Sequence, residues 1–138
     1  MTPVFILDAC SLIALLYQED GADVVLDLYR KAACGSIFLK MNRLNLLEVY
    51  YDTLRREGEQ TARTLVSLIN QSPITIIPEL SDTVFFEAGR LKTSYKISLA
   101  DSIALGEAFA QNGTLVTSDH HEFDVIDKNG AVKFLWIR

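Results

Sequence analysis

Apolar residues along this chain fall into two kinds of segment that alternate. Short runs of apolar and β-branched residues recur at 4–7, 36–40, 74–77, 114–117 and 132–137. Their lengths and flanks predict five buried strands. Pro73 and Pro78 bracket the third run, Asn112-Gly113 precedes the fourth and Asn129-Gly130 the fifth. Between them, apolar residues repeat at helical spacing. Val24, Val25, Leu28 and Tyr29 form one set, Leu44, Leu47, Tyr51 and Leu54 a second, and Val84, Phe85, Ala88 and Leu91 a third. Each set predicts an amphipathic helix with that stripe against a core. The stretch 99–110 is apolar nearly all round, apart from Asp101 and Glu107. Such a helix belongs between layers rather than on the surface. Strands alternating with helices predict an α/β fold, a three-layer α/β/α sandwich with a mostly parallel sheet.

Composition narrows this picture. With 138 residues, no low-complexity linker and no internal repeat, residues 1–138 are expected to form one domain. Apolar residues are 49% of the chain and charged residues 22%, which excludes wholesale disorder. No apolar run approaches the ~20 residues of a membrane span, and no basic leader precedes the first run. The two cysteines, Cys10 and Cys34, make no disulfide framework and are expected to be reduced and core-packed, as in a cytoplasmic protein. A formal charge of −5 argues against a simple electrostatic coat for nucleic acid. The phosphate-binding and hydrolase motifs GxGxxG, Walker A, HExxH and GxSxG are absent.

Four acids stand where acids are costly or where chemistry is usual. Asp8 and Asp119 each end a strand run and begin a helix, beyond the carboxyl edge of the predicted sheet. Glu48 flanks the apolar stripe of its helix, one turn from Leu44 and Tyr51. Asp101 shares a helix side with Ala104, Leu105 and Ala108. Taken singly, each reads equally well as a helix cap: Asp8 and Asp119 as N-caps, Ser98 to Asp101 as a capping box. Together they would meet at one end of one sheet. Two carboxylates ~4 Å apart repel by about 4 kcal/mol at an effective dielectric near 20. A hard cation such as Mg²⁺ or Mn²⁺ removes that repulsion and suits phosphodiester cleavage.

The same segments carry a family resemblance. The run from Phe5 through Asp8 to Leu16 resembles the opening of PIN-domain nucleases. Leu46-Leu47-Glu48-Val49 resembles their second motif, Leu99-Ala100-Asp101-Ser102-Ile103-Ala104 their third, and Val116-Thr117-Ser118-Asp119 with Phe123 their fourth. The small single-domain form is most similar to VapC-like ribonuclease toxins of toxin–antitoxin pairs. The resemblance implies a PIN-like fold and a Mg²⁺- or Mn²⁺-dependent endoribonuclease. It also implies a homodimer, inhibited by a small antitoxin whose basic tail would reach the acidic pocket. Asp8, Glu48, Asp101 and Asp119 match the family's acidic quartet. Asp8 and Asp101 would be the main metal ligands, Asp119 would complete the site, and Glu48 would orient water or bind a second ion. The family usually has a small hydroxyl residue two places after the first acid; here that place is Cys10, followed by Ser11. This departure leaves an alternative, a catalytically weak or inactive PIN scaffold that binds RNA or protein.

Neighbouring signals read less sharply. His120 and His121 are an exposed loop pair or a phosphate or base contact beside the site. Asp124 is a loop acid or a fifth member of the cluster. Zinc is disfavoured because Cys10, Cys34 and the two histidines lack paired ligand spacing. A phosphoacceptor receiver domain would want a pair of acids after the first strand, and a haloacid-dehalogenase-like phosphatase a second Asp where Cys10 stands.

Overall fold

The computed structural model describes all 138 residues. Five strands, β1 (Val4–Leu7), β2 (Phe38–Asn42), β3 (Ile74–Ile77), β4 (Thr114–Thr117) and β5 (Lys133–Trp136), form one sheet in the order β3-β2-β1-β4-β5. Every neighbouring pair is parallel, with Ile6 opposite Lys40 on one side and Leu115 on the other. Seven helices connect them: α1 (Ala9–Leu16), α2 (Ala22–Ala33), α3 (Arg43–Glu57), α4 (Glu59–Asn70), α5 (Asp82–Ser94), α6 (Leu99–Ala110) and α7 (His120–Lys128). No helix is long and apolar enough to cross a membrane.

Strand pleating sends alternate side chains to opposite faces. Leu7, Leu39, Met41 and Val116 pack on one face with Leu12, Val25, Leu28, Val49 and Ile69 of α1 to α4. Ile6 and Leu115 pack on the other face with Leu91, Ala104, Leu105, Phe123 and Ile126 of α5 to α7. Both faces of the sheet are therefore covered, which is why its strands read as continuous apolar runs. The turn into β4 uses Asn112 in the left-handed region, at φ 50°. Gly113 follows because a Cβ there would lie 2.9 Å from the Val4 carbonyl oxygen.

A buried polar link joins the layers. Asn42 ends β2 and N-caps α3, its Oδ1 accepting from the Leu44 N–H at 2.8 Å. Its Nδ2 donates to Glu107 of α6, also at 2.8 Å. Glu107 is thereby satisfied inside an otherwise apolar helix.

Three expectations are corrected. Of the stripe Leu44, Leu47, Tyr51 and Leu54 only Leu44 reaches the core, packing on Val84, Ala88 and Ile103; Leu47 is 50% exposed, and Tyr51 and Leu54 are exposed too. The buried side of α3 is Asn45, Leu46, Val49 and Thr53. Two polar residues on that side masked its periodicity, while the outward side is the more apolar one. Likewise Phe85 points outward beside Phe86, although Val84, Ala88 and Leu91 are buried. Cys34 is exposed, in the turn after α2, and not core-packed. Helix α4, which buries Ala62 and Ile69, has no counterpart among the predicted elements.

Candidate functional site

The sheet reverses its winding at β1. The chain runs from β1 to β2 and β3 on one side, then places β4 and β5 on the other. The crevice beyond the carboxyl ends of β1 and β4 is where ligands gather in open α/β sheets. A cleft of about 310 Å³ lies there, lined by Asp8, Cys10, Glu48, Asp101, Asp119 and Glu122 among others. The four acids named from the sequence thus share one cleft, and Glu122 joins them. No Lys, Arg or His lines it.

Each acid is aimed by its local structure. Asp8 follows β1 and N-caps α1, its Oδ1 accepting from the Ser11 N–H at 2.9 Å. Asp119 follows β4 and N-caps α7, its Oδ1 accepting from the Glu122 N–H at 3.1 Å. Capping and clustering are therefore compatible, because a carboxylate has a second oxygen for the cleft. Ser98 N-caps α6, accepting from the Asp101 N–H at 3.1 Å. In a capping box the carboxylate of Asp101 would return to the Ser98 N–H. Here Glu122 takes that N–H instead, at 2.9 Å, so the Asp101 carboxylate faces the cleft. Helix α3 contributes Glu48, three residues beyond Asn45, which ties α3 to α6 by donating to the Ala100 carbonyl at 3.0 Å.

Oxygens of Asp101, Asp119 and Glu122 lie within 4.8 Å of one another. The proton affinities register this crowding. Burial holds Asp8 and Glu48 above the usual carboxylate range. Burial, then the charges of Asp8 and Asp119, push Asp101 up to about 8. An all-oxygen donor set short of positive charge fits a hard divalent cation. Sulfur enters only through Cys10, whose thiol donates to both Asp8 oxygens at 3.1 and 3.2 Å. Burial and the Asp8 charge push that thiol up to about 12, so it stays protonated. Ser11 does not replace the missing hydroxyl, because its buried Oγ donates to the Val116 carbonyl at 2.7 Å.

Glu122 is the cleft acid that sequence reasoning missed. Its only signal was the Asp-x-x-Glu spacing from Asp119, which reads as an ordinary helix start. Asp124, considered instead, is exposed and pairs with His120 at 2.8 Å. His120 also reaches the Arg138 carbonyl at 2.9 Å through Nε2, and that contact, then Asp124, raises its proton affinity. Arg55 does not line the cleft but lies over the Tyr51 ring at 5.1 Å.

A search of curated proteins finds no match. Among solved structures, the chain resembles the toxin–antitoxin complex from Klebsiella pneumoniae at 20% identity and a TM-score of 0.70, covering 99% of this chain and 98% of that one. VapBC-1 from nontypeable Haemophilus influenzae is similar at 16% identity and a TM-score of 0.71, covering 97% and 98%. Mycobacterium tuberculosis VapC20, a sarcin-ricin loop cleaving toxin, aligns at 12% identity and a TM-score of 0.58 over 93% and 95%. At these identities the likeness speaks for the fold. The family model of the PIN domain matches residues 5–129, a span that holds all five cleft acids, and the chain belongs to the PIN domain family.

Proposed function

We propose that this chain is a divalent-cation-dependent endoribonuclease, the toxin of a toxin–antitoxin pair, acting in the cytoplasm on RNA phosphodiester bonds. One observation carries the reading: five carboxylates from four parts of a PIN fold share a cleft with no basic side chain. Asp101, Asp119 and Glu122 would hold Mg²⁺ or Mn²⁺, with Asp8 at the floor of the same cleft. When bound, the cation supplies the positive charge that admits a phosphate to an acidic mouth and polarises an attacking water. Glu48, half-buried and raised in proton affinity, is suited to orient that water and take its proton. Asp8, fully buried and fixed by Ser11, holds its charge in one place and spends no reorganisation on the reaction.

A protein partner is supported by the outward apolar side of α3. It continues into a groove of about 990 Å³ between α3, α4 and the segment after β3, lined by Leu44, Leu47, Tyr50, Val66 and Leu80. Exposed apolar surface of this extent marks an interaction site. Leu47 and Leu99 belong to the groove, while Glu48 and Asp101 belong to the cleft. An occupant of the groove therefore reaches the acids within one helical turn. A small antitoxin with a basic tail would fill the groove and place its cation among the carboxylates, and a homodimer would cover more of the same apolar surface.

The test is cleavage of single-stranded RNA by purified protein with Mg²⁺ or Mn²⁺. Cleavage is expected, to be abolished by excess EDTA and lowered at least about 100-fold in Asp8→Asn and Asp101→Asn, as loss of several kcal/mol of transition-state stabilisation requires. Undiminished cleavage in EDTA overturns the reading. Binding without cleavage would favour the scaffold alternative, toward which Cys10 points.

A further inference from the structure

Beside the acidic cleft, three aromatic rings form a stack that the cleft chemistry does not use. Phe134 and Trp136 of β5 lie nearly parallel, 9° apart with centroids at 5.4 Å. The ring of His120 continues the stack over Trp136, at 4.0 Å and 10°. Phe134 and Trp136 are anchored from below by the core that holds Phe123 and Ile126. Trp136 is fixed sideways as well, its Nε1 donating to Asp127 at 3.0 Å. The outermost ring is fixed in its own plane, with Asp124 on Nδ1 and the Arg138 carbonyl on Nε2. Yet the His120 side chain is 50% exposed. One face is covered by Trp136 and both nitrogens are occupied, so the exposed part is the outer face and the C–H edge. His120 directly follows Asp119, one of the cleft acids.

From this geometry we infer that the outer face of His120, backed by Trp136, is a stacking platform for an unpaired nucleobase of the RNA strand lying across the cleft. The inference rests on the ribonuclease reading and adds a site to it. A rigid, pre-stacked flat surface loses little entropy on binding. Every base offers a π-face to it, and base–aromatic stacking strengthens single-strand binding by roughly 5- to 150-fold per base. A strand seated this way has one base held beside Asp119, so the platform fixes which phosphate of the strand enters the cleft. The cleft itself carries no aromatic ring on which a base could stack.

The experiment uses the full chain and single-stranded RNA carrying 2-aminopurine at successive positions, with the quench read by stopped flow before the strand is cut. The parent should quench the fluorophore at one position. His120→Phe keeps a flat ring and should keep the quench. His120→Leu covers Trp136 without a π-face, and His120→Lys supplies a cation without a plane. Both should lose the quench, weaken binding roughly 5- to 150-fold, and scatter the cut sites on cleavable RNA. Thermal melts of each variant establish that it is folded. If the parent binds and cuts RNA but quenches at no position, or if the Leu and Lys variants keep the parent's quench and cut sites, the platform is wrong and the nuclease reading stands. A parent that neither binds nor cuts RNA overturns both.

Discussion

Cys10 occupies the place where a hydroxyl is usual in this family, and its chemistry can be separated from that of Cys34. Cys34 is fully exposed, and its bond with Ser36 lowers its proton affinity, whereas Cys10 is held to about 12. Thiolate is the reactive form. An aromatic disulfide reagent at pH 8 should therefore titrate one thiol quickly and the second only on unfolding, and Cys34→Ser should remove the fast phase. Cys10→Ser tests the catalytic side. A hydroxyl is a stronger donor to Asp8 than a thiol. A gain of the size of one hydrogen bond, ~0.5–1.5 kcal/mol, predicts a rise in cleavage rate of roughly 2- to 12-fold. A fall in the rate on that substitution would show that the sulfur has a use of its own.

Among the elements, α3 depends on Asn42 in two ways. The side chain caps the helix and satisfies Glu107 across the core. Asn42→Ala should cost about 1 kcal/mol for the cap and ~1–3 kcal/mol for a buried carboxylate oxygen left without its donor, Glu107 keeping only the long contact from Gln111 on its other oxygen. Denaturant unfolding should show that loss, and Asn42→Asp should also destabilise, because it keeps a cap but sets a second carboxylate against Glu107. The five strands were legible because prolines and Asn-Gly turns bracket runs that are buried on both faces. The orientation of α3 was not, because Asn45 and Thr53 occupy its buried side while leucines face out. The acids at strand ends were legible for the same reason as the strands. Glu122 was not, since an acid three residues after an N-cap is indistinguishable in sequence from a capping partner. Only the fold reveals that it reaches across to the Ser98 N–H.

For the whole molecule, the cleft acids set a pH dependence with a definite sign. Asp101 in the fold holds its proton up to about 8, against an ordinary carboxylate value near 3.8, and Asp8 and Glu48 are raised as well. The folded state therefore binds more protons than the unfolded state across that window. Its stability from these groups is fully present below about pH 4 and is lost as pH rises toward 8. The metal-free protein should melt several degrees lower at pH 8 than at pH 5, and Asp101→Asn should remove part of that slope. Saturating Mg²⁺ or Mn²⁺ should restore the melting temperature at pH 8, and EDTA should lower it again. A flat pH profile without metal would contradict the clustering of these charges.

The sheet order also has a consequence for the time at which the cleft is complete. Strand β1 lies in the middle of the sheet, between β2 and β4. Asp8 and Glu48 leave the ribosome early, but Asp101, Asp119 and Glu122 come from the last third of the chain. At roughly 5–20 residues per second, several seconds separate the first acid from the last. A nascent chain that ends before Asp101 has only Asp8 and Glu48 of the cleft acids, and without β4 it leaves one edge of β1 unpaired. On the ribonuclease reading, chains truncated before Glu122 should be inert toward RNA, so the product gains its cleft only once the segment through α7 has been made.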